Sequence, residues 1–141
     1  MSREILFRGK RTDDNQWIFG SYVQQYGTHK IYLPDGTDSE YGSDNYTVIP
    51  YTVGQYIGLT DKNGKKIFEG DIVDVDGENG VVKYGDFIPK FYAQEVFHSS
   101  PIKGFYVETV NGEQLVIPSK VRTNVIGNIH DNPELLEVHN G

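Results

Sequence analysis

Apolar and polar residues alternate with a period of two along most of this chain, and the runs are short. Glu4 to Gly9 sets Ile5 and Phe7 on one face and Leu6 and Arg8 on the other. Thr12-Asp13-Asp14-Asn15 is turn chemistry, and Gln16 to Gln25 then carries Trp17, Phe19 and Val23, with Gly20 expected at a bulge. The two runs read as an opening hairpin. Lys30 to Leu33 is a third short strand, ended by Pro34-Asp35-Gly36. Thr37 to Asn45 has no period and reads as a mobile loop. Tyr46 to Ile49 resumes the apolar character until Pro50 breaks it.

The stretch from Thr52 to Val75 holds the strongest turn signals. Asn63-Gly64 separates Tyr56–Leu59 from Lys66–Phe68, and Asn-Gly suits a type I′ turn with positive φ at both central residues. Glu69-Gly70-Asp71 is a poor strand interior and predicts a bend. Beyond it Val73 and Val75 share one face and Ile72 and Asp74 the other, followed by a turn over Asp76 to Gly80 and renewed alternation at Val82 and Tyr84. Lys90 to Phe97 lacks a one-sided stripe and reads as strand or irregular chain. Gly104–Val110 and Gln114–Ile117 flank a second Asn-Gly pair, Asn111-Gly112. Val121 to Ile129 is the last strand, with Gly127 inside it. Asn132 then fits a helix N-cap ahead of Pro133, in a short turn that docks Leu135 and Leu136. Short glycine-bounded strands of this kind predict a mainly β fold: an N-terminal β-hairpin or meander subdomain over residues 1–50 and a small β-barrel over 51–141, or the two as one compact domain.

Three ordered pieces carry a family resemblance. Arg3 to Lys10, the run from Val53 to Val73 around Asp61-Lys62-Asn63-Gly64-Lys65-Lys66-Ile67-Phe68-Glu69-Gly70-Asp71, and Val125 to Leu136 together resemble the YopX-like family of phage and prophage proteins. The resemblance spans nearly the whole chain, apart from Asp86 to Lys103. It implies a phage-derived cytosolic protein, mostly β, with an SH3-like barrel, and it implies no established activity.

Composition narrows the function classes. The chain has 141 residues, 37% of them hydrophobic, with 10 Tyr, 7 Phe and 1 Trp, enough large rings for a β core. There is no cysteine, which excludes disulfides, thiolate nucleophiles and Cys-based zinc sites and fits a reducing, cytoplasmic setting. No apolar run approaches the roughly 20 residues of a membrane span, and no apolar signal segment follows Met1. A net charge of −7 argues against duplex DNA as a partner, since phosphate neutralisation needs a basic footprint. Basic residues gather locally at Arg3, Arg8, Lys10 and Arg11 and at Lys62, Lys65 and Lys66; a solvated turn or a guarded strand edge explains both groups without a ligand.

Candidate chemistry is sparse. His29, His98, His130 and His139 are scattered without ligand spacing. Glu69, Asp71, Asp74, Asp76 and Glu78 form the best carboxylate group, but apolar residues occupy the positions where calcium ligands belong, so outward strand faces and a turn account for them. No nucleophile elbow or glycine-rich phosphate loop is present. The expectation is therefore no catalytic residue, no cofactor and no metal site. Tyr22, Tyr26, Tyr32, Tyr51, Tyr56, Tyr84 and Tyr106 are expected mostly in the core, with a few exposed rings as a stacking platform. Trp17-Ile18-Phe19 are consecutive, so one face of the opening hairpin shows rings. Three functional readings follow. The first is a non-catalytic accessory protein acting by protein contact with a host or phage partner or as a homo-oligomer, with Trp17 and Phe19 at the interface; the equal alternative for these two rings is that they fold onto the protomer's own barrel. The second is a single-stranded nucleic-acid binder using exposed Tyr together with Arg3, Arg8, Lys10 and Arg11. The third is an enzyme with a carboxylate site.

Overall fold

The computed structural model describes residues 4–34, 44–89 and 101–137. The chain forms two compact units, Met1–Gly58 and Leu59–Gly141. The mainly β expectation holds: eleven strands and three short 3-10 turns make up the described regular structure.

In the first unit, β1 (Phe7–Lys10), β2 (Trp17–Gln25), β3 (Thr28–Tyr32) and β4 (Asn45–Thr47) form an antiparallel meander. β5 (Gly54–Thr60) lies on the other side of β1, giving the order β4-β3-β2-β1-β5. Directly opposed residues share a face. Phe7 faces Gly20, Gly9 faces Ile18, and Tyr22 faces Ile31, so these side chains lie on the inner side with Val48. Ile18, Ile31 and Val48 are the buried centre of this unit, with Phe7, Tyr22, Leu33, Tyr46 and Val53 packed on them. Gly20 is no bulge: it pairs in regular register with Phe7, and a Cβ there would stand 2.0 Å from the Tyr32 carbonyl oxygen. Close approach of β3 is what requires glycine. The segment read as a mobile loop lies mostly outside the described residues, as does Lys90 to Phe97.

The second unit holds β6 (Lys66–Phe68), β7 (Asp71–Val75), β8 (Glu78–Phe87), β9 (Ile102–Thr109), β10 (Gln114–Val116) and β11 (Thr123–Asn128). Five of these strands pair in the order β10-β9-β8-β7-β11. That order is linear, and no pairing among the described residues closes it into the expected SH3-like barrel. Ile72, Val73, Val75, Val82 and Val107 are buried, and Phe87 stacks on Tyr106 at 4.6 Å between centroids. Burial of both Ile72 and Val73 shows that β7 is covered on both faces, so its alternation does not sort inside from outside. The register slips between Val125 and Gly127, which places the bulge of β11 at Ile126.

The expected turns exist, but their types differ from the expectation. Asn63 and Asn111 do not adopt positive φ; only Gly64 (φ 81°) and Gly112 (φ 86°) do. Lys62-Asn63-Gly64 and Val110-Asn111-Gly112 are three-residue loops, a type I turn followed by a left-handed glycine. The type I′ geometry belongs to Tyr26-Gly27 (φ 52° and 77°) and Asp76-Gly77 (φ 54° and 93°), each joining directly paired residues. The turn at Asp76 is thus two residues long, and Glu78 to Gly80 already belong to β8. At the C-terminus, Pro133–Leu136 is a 3-10 turn. Asn132 stands at its N-cap, but its side chain accepts from the Asn128 N–H instead of capping the turn. Asn79 donates to the Leu135 carbonyl and ties this turn to β8.

Candidate interaction face

The first unit's register sorts its basic and aromatic residues onto two sides. Arg8 opposes Phe19, and Lys10 opposes Trp17, so all four project from the side opposite the Ile18 core. The same side continues along the sheet through Ser21 and Tyr32, Val23 and Lys30, and Gln25 and Thr28, and ends on Asn45 and Thr47 of β4. None of these outward positions is Asp or Glu.

The two ends of the face differ. The Arg8 guanidinium carbon lies 4.6 Å from the centre of the Trp17 ring, and Lys10 Nζ lies 5.5 Å from it. Such cation–ring contacts fix the rings and the charges together. Arg8 is buried and Trp17 half-buried. Toward the β2–β3 arm the surface opens: Phe19 is 42% exposed, Val23 37% and Tyr26 96%. A cleft on the arm is lined by Val23, Gln25, Tyr26, Thr28, Lys30 and Tyr32.

The basic residues named from the sequence do not form one cluster. Arg11 points to the inner side, 4.1 Å over the Tyr46 ring, and makes two hydrogen bonds to Asp13, at 3.0 and 2.7 Å. The bond to the Asp13 carboxylate raises Arg11 above its usual value and lowers Asp13. A guanidinium held this way is already neutralised and is a poor phosphate ligand. Arg3 lies outside the described residues. The tyrosines correct the sequence reading: of the seven, only Tyr106 is buried, while Tyr26, Tyr51 and Tyr84 are exposed. Val23 and Lys30 are face residues that no sequence pattern singles out, and the sequence does not say which of the tyrosines, here Tyr26 and Tyr32, belong to the face. Glycine after Tyr26 was the available signal, but Tyr is not a turn residue by propensity.

Four of the five carboxylates in the acidic group, Asp71, Asp74, Asp76 and Glu78, serve the scaffold. Asp71 is buried and accepts the Phe68 N–H at 2.7 Å, which corrects its reading as an outward residue. Asp74 accepts from Gly77 N–H, Asp76 pairs with Arg122, and Glu78 accepts from the Asn111 amide. Lys83 donates to Glu108 at 2.6 Å and lowers it. Among the described residues no group of three His, Cys, Asp or Glu is placed to hold a metal ion. His29 bonds to the Tyr22 hydroxyl through Nδ1; His98 and His139 lie outside the described residues. No described helix is long and apolar enough to cross a membrane.

Asp61, a turn residue by its sequence, is 1% exposed. Its Oδ1 accepts the N–H groups of Asn63 and Lys65, both at 2.9 Å, and Oδ2 accepts Val125 N–H at 2.9 Å. Burial pushes this carboxyl up, but the three backbone donors and the Lys65 charge outweigh it and hold Asp61 below its ordinary value.

Comparison with curated proteins gives no match. Among solved structures the chain is similar to protein EF1440 from Enterococcus faecalis, at 25% identity over 96% of this chain and 100% of that one, with a TM-score of 0.47. The family described as YopX protein matches residues 6–137, and the chain therefore belongs to the YopX family.

Proposed function

We propose that this YopX-family protein is a non-catalytic accessory protein of a phage or prophage, acting in the cytoplasm by binding through the outer face of its N-terminal sheet. One observation carries the reading: in a chain of net charge −7, the outward positions of β1 to β4 hold rings and cations and no carboxylate. A strip of that kind attracts a partner with anionic and flat or apolar groups, and aromatic residues and arginine dominate the centres of binding surfaces. The use of Asp61, Asp71, Asp74, Asp76 and Glu78 in turns and strands supports binding over catalysis.

The test compares the wild type with a folded Phe19→Ser/Val23→Glu variant immobilised in the same host extract. Material retained by the wild type and lost from the variant supports the face. Identical retention overturns it.

Self-association is a second reading, favoured by the exposure of Phe19 and Val23. Two-fold pairing of this face would gather Arg8, Lys10 and Lys30 of both copies in one contact with no carboxylate among the face residues, so a homo-oligomer would instead join the face to a different, acidic surface of the next copy and close as a ring. Light scattering at micromolar concentration showing monomer alone would remove this reading.

A further inference from the structure

The tip of the β2–β3 arm breaks a local rule. Only Tyr26 and Gly27 separate the paired residues Gln25 and Thr28, and both have positive φ. Asn or Asp tolerates the first position of such a turn, whereas Tyr is strained there by its Cβ. The ring recovers nothing by packing, because Tyr26 is 96% exposed. A strained residue whose large ring stands in solvent marks a place where local fit gave way to function. Beside it lies a cleft of about 150 Å³, with Lys30 and Tyr32 in its wall.

We propose that this arm binds single-stranded nucleic acid, with a base stacked on Tyr26 and the adjoining phosphate on Lys30. The inference rests on the outer face being the working surface. Charge complementarity favours this occupant: the arm from Ser21 to Tyr32 contains no acidic residue and carries Lys30, while the chain as a whole is acidic. A ring at an apex, open on both sides, suits a flat partner that stacks, and every base offers such a face. A duplex does not, because its bases already cover one another and its charge density meets the repulsion of the whole chain.

The experiment is an anisotropy titration of a labelled oligothymidylate of about 16 nucleotides, at about 0.05 and 0.15 M salt. Saturable binding that weakens as salt rises is expected, with none to a duplex of the same length. Tyr26→Asn is the decisive variant. It should melt above the wild type, because Asn fits the left-handed turn, and yet bind about ten-fold more weakly or worse. Lys30→Gln should reduce the salt slope by about one. Absence of oligonucleotide binding at the lower salt, or equal binding by Tyr26→Asn, overturns the assignment. If the oligonucleotide fails while retention from extract still depends on Phe19 and Val23, the face stands and its partner is a protein. If both fail, the face itself is wrong.

Discussion

Lys62-Asn63-Gly64 and Val110-Asn111-Gly112 turn the chain by the same backbone route. In each, the glycine N–H bonds back to the residue before the loop, Asp61 at 3.0 Å and Thr109 at 2.9 Å, and that residue's own N–H reaches the carbonyl just past the glycine, at 2.8 Å in both. In each, the residue before the loop is buried and its side chain binds a backbone N–H across it: Asp61 to Asn63 and Lys65, Thr109 to Glu113 at 3.1 Å. The difference lies in reach. Thr109 Oγ1 serves its own loop, whereas Asp61 also accepts from Val125, 64 residues away on β11. One loop is a local hairpin device; the other uses the same device to hold a distant strand.

The largest effect that would test this contrast is removal of the carboxylate. Asp61→Ala leaves three part-buried backbone N–H groups without their acceptor, so we expect a loss of about 3 kcal/mol in urea unfolding. A loss no greater than that of the Thr109 variant below would erase the difference between the loops.

Acid sharpens the comparison, because only one loop titrates. Folded Asp61 lies below its ordinary value of 3.8, so the ionised form's contribution is complete above that pH and is lost as pH falls through the folded value. Asp61→Asn should cost about 2 kcal/mol at neutral pH, since its amide group would face one backbone donor. That gap should narrow at about pH 3. Urea midpoints of both proteins at the two pH values measure it. A constant gap would mean that the charge contributes nothing.

The shared backbone makes a third, symmetrical prediction. Gly64→Val and Gly112→Val each force a β-branched residue to positive φ, while the added Cβ meets no atom within 4 Å at either site. Each should cost about 1 kcal/mol or more from strain alone, and the two costs should agree closely. Unequal thermal shifts would show that the loops are not the same device. The smallest effect is expected from Thr109→Val, which deletes one neutral hydrogen bond at nearly constant shape, for about 1 kcal/mol or less in the same urea assay.

Much of this fold was legible in the residues. The alternation from Phe7 to Gln25 predicted the opening hairpin, and both Asn-Gly pairs fell in hairpin loops, because period-two patterning and glycine placement act locally. Turn type was not legible. Asn-Gly is compatible with two loop lengths, and strand pairing chose the longer one for both, while Tyr26-Gly27 took the two-residue form against the preference of its first residue. The second unit shows the same limit, since its short strands suggested a barrel and their pairing order is linear.

The candidate face shows why a site can be half visible. Trp17, Ile18 and Phe19 are consecutive, so alternation alone separates Ile18 from the two rings without saying which side is inside. By itself the sequence determined the strands, the glycine-bounded loops, the absence of thiol chemistry and the family. Tertiary structure decided the parity of the sheet: Ile31 and Val48 close over Ile18, and Gly9 and Gly20 leave room for neighbouring strands to approach on that side. The rings, Arg8 and Lys10 therefore went to the other side. It also decided that Asp61 is a buried acceptor for β11, because a partner 64 residues away leaves no local pattern. Local preferences select conformations of a few residues, whereas burial and long-range pairing are settled only when distant strands compete for the same space.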